Sequence, residues 1–146
     1  MMNAFDALAQ LRANVAVPFS QAHAMPKAVY TSEDFAALEV EQIFSKEWFC
    51  VGRATALANP GDYVTLELAG QPIMVIRDRE GILRAQSNVC LHRMSILLKG
   101  AGNVKGIVCP YHGWSYNTDG SLRAAPAMKH NEGFCNSRTA DGRLTY

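Results

Sequence analysis

The segment that most constrains this chain is Cys90-Leu91-His92 followed, after sixteen intervening residues, by Cys109-Pro110-Tyr111-His112. Each short sequence offers one thiol and one imidazole from a single loop, so two loops brought together supply four metal donors. Two chemistries use such a set. Zinc takes four tetrahedral N/S donors, but its usual sites draw cysteine beside cysteine and histidine beside histidine along the chain. A 2Fe-2S centre of mixed ligation needs two thiolates on one iron and two imidazoles on the other. One of each per loop favours the cluster, with Cys90, His92, Cys109 and His112 as its ligands. Cys50 and Cys135 have no histidine nearby and are expected to be bystander thiols.

The rest of the composition excludes several classes. Among 146 residues, 49% are hydrophobic and 18% charged, an ordinary balance for a folded domain. Apolar runs such as Ile73 to Ile76 and Ile96 to Leu98 fall far short of the ~18 residues that span a bilayer. The start Met1-Met2-Asn3-Ala4-Phe5-Asp6 has neither the basic region nor the apolar stretch of an export signal. The expectation is therefore a cytoplasmic protein with reduced thiols and no membrane association, in which ligation is a better use of cysteine than a disulfide. A net charge of +1 gives no ground for a nucleic-acid partner.

Along the chain, residues 1–29 read as an arm, loop-like because of Pro18 and Pro26, with at most a short helix near Phe5 to Leu11. Thr31 and Ser32 before Glu33-Asp34, with Phe35, Leu38, Ile43 and Phe44 at helical spacing, predict a helix over about 33–45. From Trp48 the pattern turns to short β segments: Trp48–Val51, Tyr63–Leu68, Ile73–Arg77 and Ile82–Ser87. Gly61-Asp62, Ala69-Gly70 and Asp78-Arg79-Glu80-Gly81 stand between them as turns. Val104–Val108 and Trp114–Asn117 read as further strands, with Thr118-Asp119-Gly120 turning into Leu122. Trp48, Phe49 and Trp114 are expected in the core, Trp114 with a second role of shielding the metal site from water. His23 and His130 are expected at the surface. Gly102, Gly106 and Gly113 are expected to let backbone amides approach the sulfurs.

These residues resemble the Rieske domain of the large (alpha) subunits of Rieske non-haem iron oxygenases, the ring-hydroxylating and demethylating systems. The likeness rests on C-x-H and C-x-x-H at this spacing, on Tyr111-His112-Gly113-Trp114, and on the lead-in Glu41-Gln42-Ile43-Phe44 and Lys46-Glu47-Trp48, over residues 30 to 134. The resemblance implies a mostly β fold, an antiparallel β-sandwich with an N-terminal helix and two cluster-binding loops, filling residues 30–146. It implies one 2Fe-2S cluster per chain, with Cys90 and Cys109 on the inner iron and His92 and His112 on the outer, electron-exit iron. It also implies a ferredoxin or flavin reductase as donor. The acceptor would be a mononuclear Fe(II) in a catalytic domain of the same or a neighbouring subunit, commonly in a trimer. This chain holds no residues for that iron. A self-contained Rieske ferredoxin is the alternative, against which stands the long stretch ahead of the first strand.

Respiratory Rieske proteins carry an extra cysteine in each loop and a serine after the C-x-x-H-G sequence. Ser95, Tyr111 and Trp114 occupy those places here, which implies a lower-potential, oxygenase-type cluster. The oxygenases often have glycine after C-x-H-R, where this chain has Met94. Between Arg84 and His130 the charges are Arg84, Arg93, Lys99, Lys105, Arg123 and Lys129, with Asp119 the sole acid. That excess suits steering of an acidic donor, a solvated face being the alternative.

Overall fold

The computed structural model describes residues 3–128 and 144, in two compact units, Met1–Cys50 and Val51–Tyr146. His130 and Cys135 lie outside the described residues.

In the first unit, helix α1 spans Ala4–Val15, longer than the expected short turn. Asn3 caps it by accepting from the Asp6 N–H at 2.9 Å, Asp6 stands in the first turn and Arg12 in the last. Alanine and leucine dominate the sequence between, and both prolines fall beyond its end. Ala4, Ala7 and Phe35 form a small core with Leu8, Leu11, Val29 and Leu38 around it. Helices α2, Lys27–Thr31, and α3, Glu33–Glu39, follow; Ser32 caps α3 through the Phe35 N–H. The expected helix to residue 45 continues past Glu39 as a π turn, Val40–Phe44. Both the N–H and the hydroxyl of Ser45 donate to the Val40 carbonyl, at 2.9 and 2.7 Å, and this five-residue bond sets the wider register. The expected strand Trp48–Val51 does not form. No strand among the described residues pairs with it, and Trp48, expected in a core, is 99% exposed.

The second unit carries two antiparallel sheets, the fold class the sequence implies. Strands β1 (Asp62–Leu68), β2 (Gln71–Arg77), β3 (Leu83–Ser87) and β4 (Ala101–Asn103) lie in the order β3-β2-β1-β4. Strands β5 (Ile107–Val108), β6 (Ser115–Tyr116) and β7 (Leu122–Ala124) form the second sheet in sequence order. The first hairpin closes over Ala69-Gly70, both with positive φ, between paired Leu68 and Gln71; this is the two-residue turn whose twist matches paired strands. Val104, expected in a strand, instead donates its N–H to the Gly61 carbonyl at 2.9 Å. The segment before it pairs with β1 as an edge strand. There Gly102 lies so close under Tyr63 that a β-carbon would meet the ring at 3.2 Å.

Met74 and Ile76 of the first sheet share one buried cluster with Ile107, Tyr116 and Leu122 of the second. Leu97, Trp114 and Leu144 complete it, and Cys90 and Cys109 belong to it too. The core therefore runs up to the two cysteine loops. Among the described residues no helix is long and apolar enough to cross a membrane.

Candidate metal centre

Both loops are built to one plan. In the first, the Cys90 N–H donates to the Ser95 carbonyl at 2.8 Å and the Met94 N–H donates back to the Cys90 carbonyl at 3.0 Å. In the second, the Cys109 N–H donates to the Trp114 carbonyl at 2.8 Å and the Gly113 N–H donates back to the Cys109 carbonyl at 3.1 Å. The fifth residue of each loop has positive φ, +56° at Met94 and +70° at Gly113. Glycine adopts that conformation freely, whereas a side chain there costs ~1 kcal/mol. The loop geometry thus favours glycine at this position, and Met94, 74% exposed, occupies it under strain. Of the three glycines expected to let backbone amides approach the sulfurs, only Gly113 stands in a loop, and its N–H donates to the Cys109 carbonyl; Gly106 lies beside the Tyr116 carbonyl and the Arg123 guanidinium.

Residues behind the loops fix them. Asn88, 3% exposed, accepts the Leu98 N–H on its side-chain oxygen and donates its amide to the Leu98 carbonyl, both at 2.9 Å. A single bridge between Val89 and Ile96 closes the first loop's neck. From the second sheet the buried Tyr116 hydroxyl accepts the Leu91 N–H at 3.0 Å and lies 3.3 Å from Cys90 Sγ, so one side chain ties the first loop to that sheet. Burial, and next the Cys90 sulfur, push the Tyr116 phenol above its ordinary range, so it stays a donor.

The four candidate donors are layered. Cys90 and Cys109 are buried, at 1% and 3% exposure, His92 is half-buried and His112 is exposed. The imidazoles meet edge to face with centroids 4.8 Å apart. The Trp114 indole stacks flat on His92 at 4.9 Å, and Tyr111 leans on His112 at 3.7 Å. His92 Nδ1 is buried and has no hydrogen-bond partner. Desolvation, then the charges of His112 and Arg93, lower the His92 pKa, which leaves the ring neutral with a lone pair to give. At Cys109 burial resists ionisation. The Tyr111 and His112 N–H groups, with the Cys90 and Ser95 side chains, outweigh it, and the thiol moves below its ordinary value.

Among the described residues no three His, Cys, Asp or Glu side chains converge tightly enough to hold a single ion. Thiols inside, imidazoles outside and an orphaned buried nitrogen suit a group with two separated metals. The residues present fit a 2Fe-2S cluster. His23, by contrast, is exposed and its N–H is held by Asn14; Cys50 is exposed and unpaired. Asn88 and Tyr116 were not legible from spacing, since each acts on a partner at least ten residues away.

Comparison with known proteins agrees with this geometry. The model of the Rieske [2Fe-2S] domain matches residues 47–137, and the chain belongs to that family. It is 44% identical over 110 residues to the carnitine monooxygenase oxygenase subunit of Acinetobacter baumannii, covering 75% of this chain and 30% of that one. It is 39% identical to the benzene 1,2-dioxygenase alpha subunit of Pseudomonas putida, covering 67% and 22%. The crystal structure of the quaternary ammonium Rieske monooxygenase CntA in its apo form superposes with a TM-score of 0.78 at 40% identity, over 85% of this chain and 36% of that one. The chain is thus similar to the Rieske part of oxygenase alpha subunits, and spans about a third or less of the length of these relatives.

Proposed function

We propose that this chain is the electron-relay domain of a Rieske oxygenase large subunit, with Cys90 and Cys109 on one iron of a 2Fe-2S cluster and His92 and His112 on the other. The observation that carries this reading is the layering of the site: buried thiols, a half-buried imidazole with an unpartnered Nδ1, then an exposed imidazole. When bound, such a cluster supplies a one-electron couple whose potential is set by the two histidines and by hydrogen bonds to the sulfurs.

The chain's own residues do the rest. Backbone N–H groups of Tyr111 and His112 favour negative charge on Cys109, and the Tyr116 hydroxyl does so at Cys90. Trp114 covers one face of His92 and keeps water from it. His112 stands at the surface, where an acceptor can approach to contact. In the whole protein the donor is a ferredoxin or flavin reductase. The acceptor is a mononuclear iron in a catalytic domain of the same or a neighbouring subunit of a trimer, in the cytoplasm. The likeness to oxygenase subunits supports this over a free-standing ferredoxin. The greater identity to the carnitine enzyme than to the benzene enzyme supports a monooxygenase acting on a quaternary ammonium compound.

Analysis of anaerobically purified protein tests the metal assignment. Iron and acid-labile sulfide are expected in equal amounts, with a visible band bleached by dithionite; stoichiometric zinc without sulfide would contradict it.

A further inference from the structure

Of the six cations between residues 84 and 129, Lys129 lies outside the described residues, and the others do not act alike once folded. Arg84 is committed: its Nε donates to the buried Asp78 carboxylate at 2.6 Å, the one salt bridge among the described residues. Two others, Lys105 and Arg123, gather with Arg79, which precedes that stretch, round a single peptide unit. Arg79, from the β2–β3 turn, donates from Nη2 to the Lys105 carbonyl at 2.8 Å. Arg123, on β7, brings its Nη1 to 3.8 Å from where a Gly106 β-carbon would lie. Lys105 stands between them, and all three residues are exposed. None is in a salt bridge among the described residues. With a net charge of only +1 over the whole chain, this is a local concentration of positive charge, not a general one. It comes from three separate stretches of sequence.

Its place in the fold matters. Lys105 precedes β5, and Cys109 follows it, so the cations lie at the opposite end of β5 from the second loop, at most about 14 Å along the chain from Cys109. The histidine end has a different character: Leu91, Met94 and Tyr111, at 36%, 74% and 59% exposure, give it mainly apolar surface, with Arg93 as a single cation beside His92. Apolar surface suits a lasting interface, whereas unpaired charge suits a transient encounter steered by the field.

We propose that Arg79, Lys105 and Arg123 form the docking surface for an acidic one-electron donor protein, so that electrons enter on the cysteine side and leave on the histidine side. The proposal rests on the electron-relay reading above. Separate entry and exit faces allow a donor to come and go while the acceptor stays in place.

The test is stopped-flow reduction of the oxidised, cluster-loaded protein by a photoreduced plant-type 2Fe-2S ferredoxin, an acidic donor, at rising ionic strength. Wild type is expected to slow by about tenfold or more as salt shortens the reach of the field. The triple variant R79A/K105A/R123A should lose about tenfold at low salt, together with most of the salt dependence. The single variant R12A, on α1, should behave as wild type. Dithionite, which needs no docking, should reduce all three proteins alike and shows that each carries its cluster. A triple variant with undiminished rate and salt dependence overturns the proposal while leaving the relay reading intact. Retained ferredoxin rate with salt-sensitive binding of a DNA duplex lost in the variant would likewise overturn it, by making the patch a polyanion site. Failure of dithionite to bleach any of the proteins would strike the relay reading itself.

Discussion

At the scale of single residues, the hydroxyl of Tyr116 connects sequence to redox chemistry most directly. It is buried, held by the Leu91 N–H, and 3.3 Å from Cys90 Sγ. A hydrogen bond to a thiolate stabilises the more negative, reduced state. The chain lacks the serine of the respiratory proteins after its second loop, but this tyrosine keeps one donor at the sulfurs. Removing it in Tyr116→Phe should lower the reduction potential by about 40 mV, the one-electron equivalent of a hydrogen bond worth ~1 kcal/mol. A redox titration reads this, and an unchanged or raised potential with the cluster intact would contradict the role. The four donors were legible in the sequence because their spacing is local. Tyr116 and Asn88 were not, because their partners lie ten or more residues away and meet them only on folding. Met94 falls between: its departure from the usual glycine was visible, but its positive φ was not.

At the scale of elements, the β2–β3 hairpin depends on Asp78. Its carboxylate, fully buried, accepts the Ile82 N–H at 2.7 Å and Arg84 Nε at 2.6 Å, and the Asp78 N–H donates to the Ile82 carbonyl. Desolvation works against the charge here. The Ile82 amide and Arg84 overcome it, and the net pKa is below the ordinary aspartate value of 3.8. A depressed folded pKa means that this contribution is present above the unfolded value and is lost as pH falls through the folded one. Asp78→Ala should therefore cost about 3 kcal/mol at neutral pH. The gap from wild type should narrow in acid below the unfolded value. Urea unfolding at neutral and acidic pH measures both, and an equal gap at the two pH values would rule this out. The β1–β3 meander was legible because turn residues bracket alternating strands. Strand β4, Ala-Gly-Asn, was not, since nothing in those residues favours a strand and only pairing with β1 makes one. The π turn after α3 escaped notice for a similar reason: Ser45 reads as an ordinary helix end until it folds back on Val40.

At the scale of the whole molecule, one buried cluster joins both sheets and reaches the two cysteines. The imidazoles stand outside that cluster, so the fold itself gives the site an inner and an outer end. That polarity separates a mixed-ligand cluster from a single tetrahedral ion, and it underlies every step proposed above. Its most direct test is the electron paramagnetic resonance spectrum of the dithionite-reduced protein and of the H92A and H112A variants. Wild type is expected to give a rhombic signal with average g of about 1.9, abolished in each variant. An undiminished wild-type signal from either histidine variant, or no signal from the wild type, would contradict the mixed-ligand cluster.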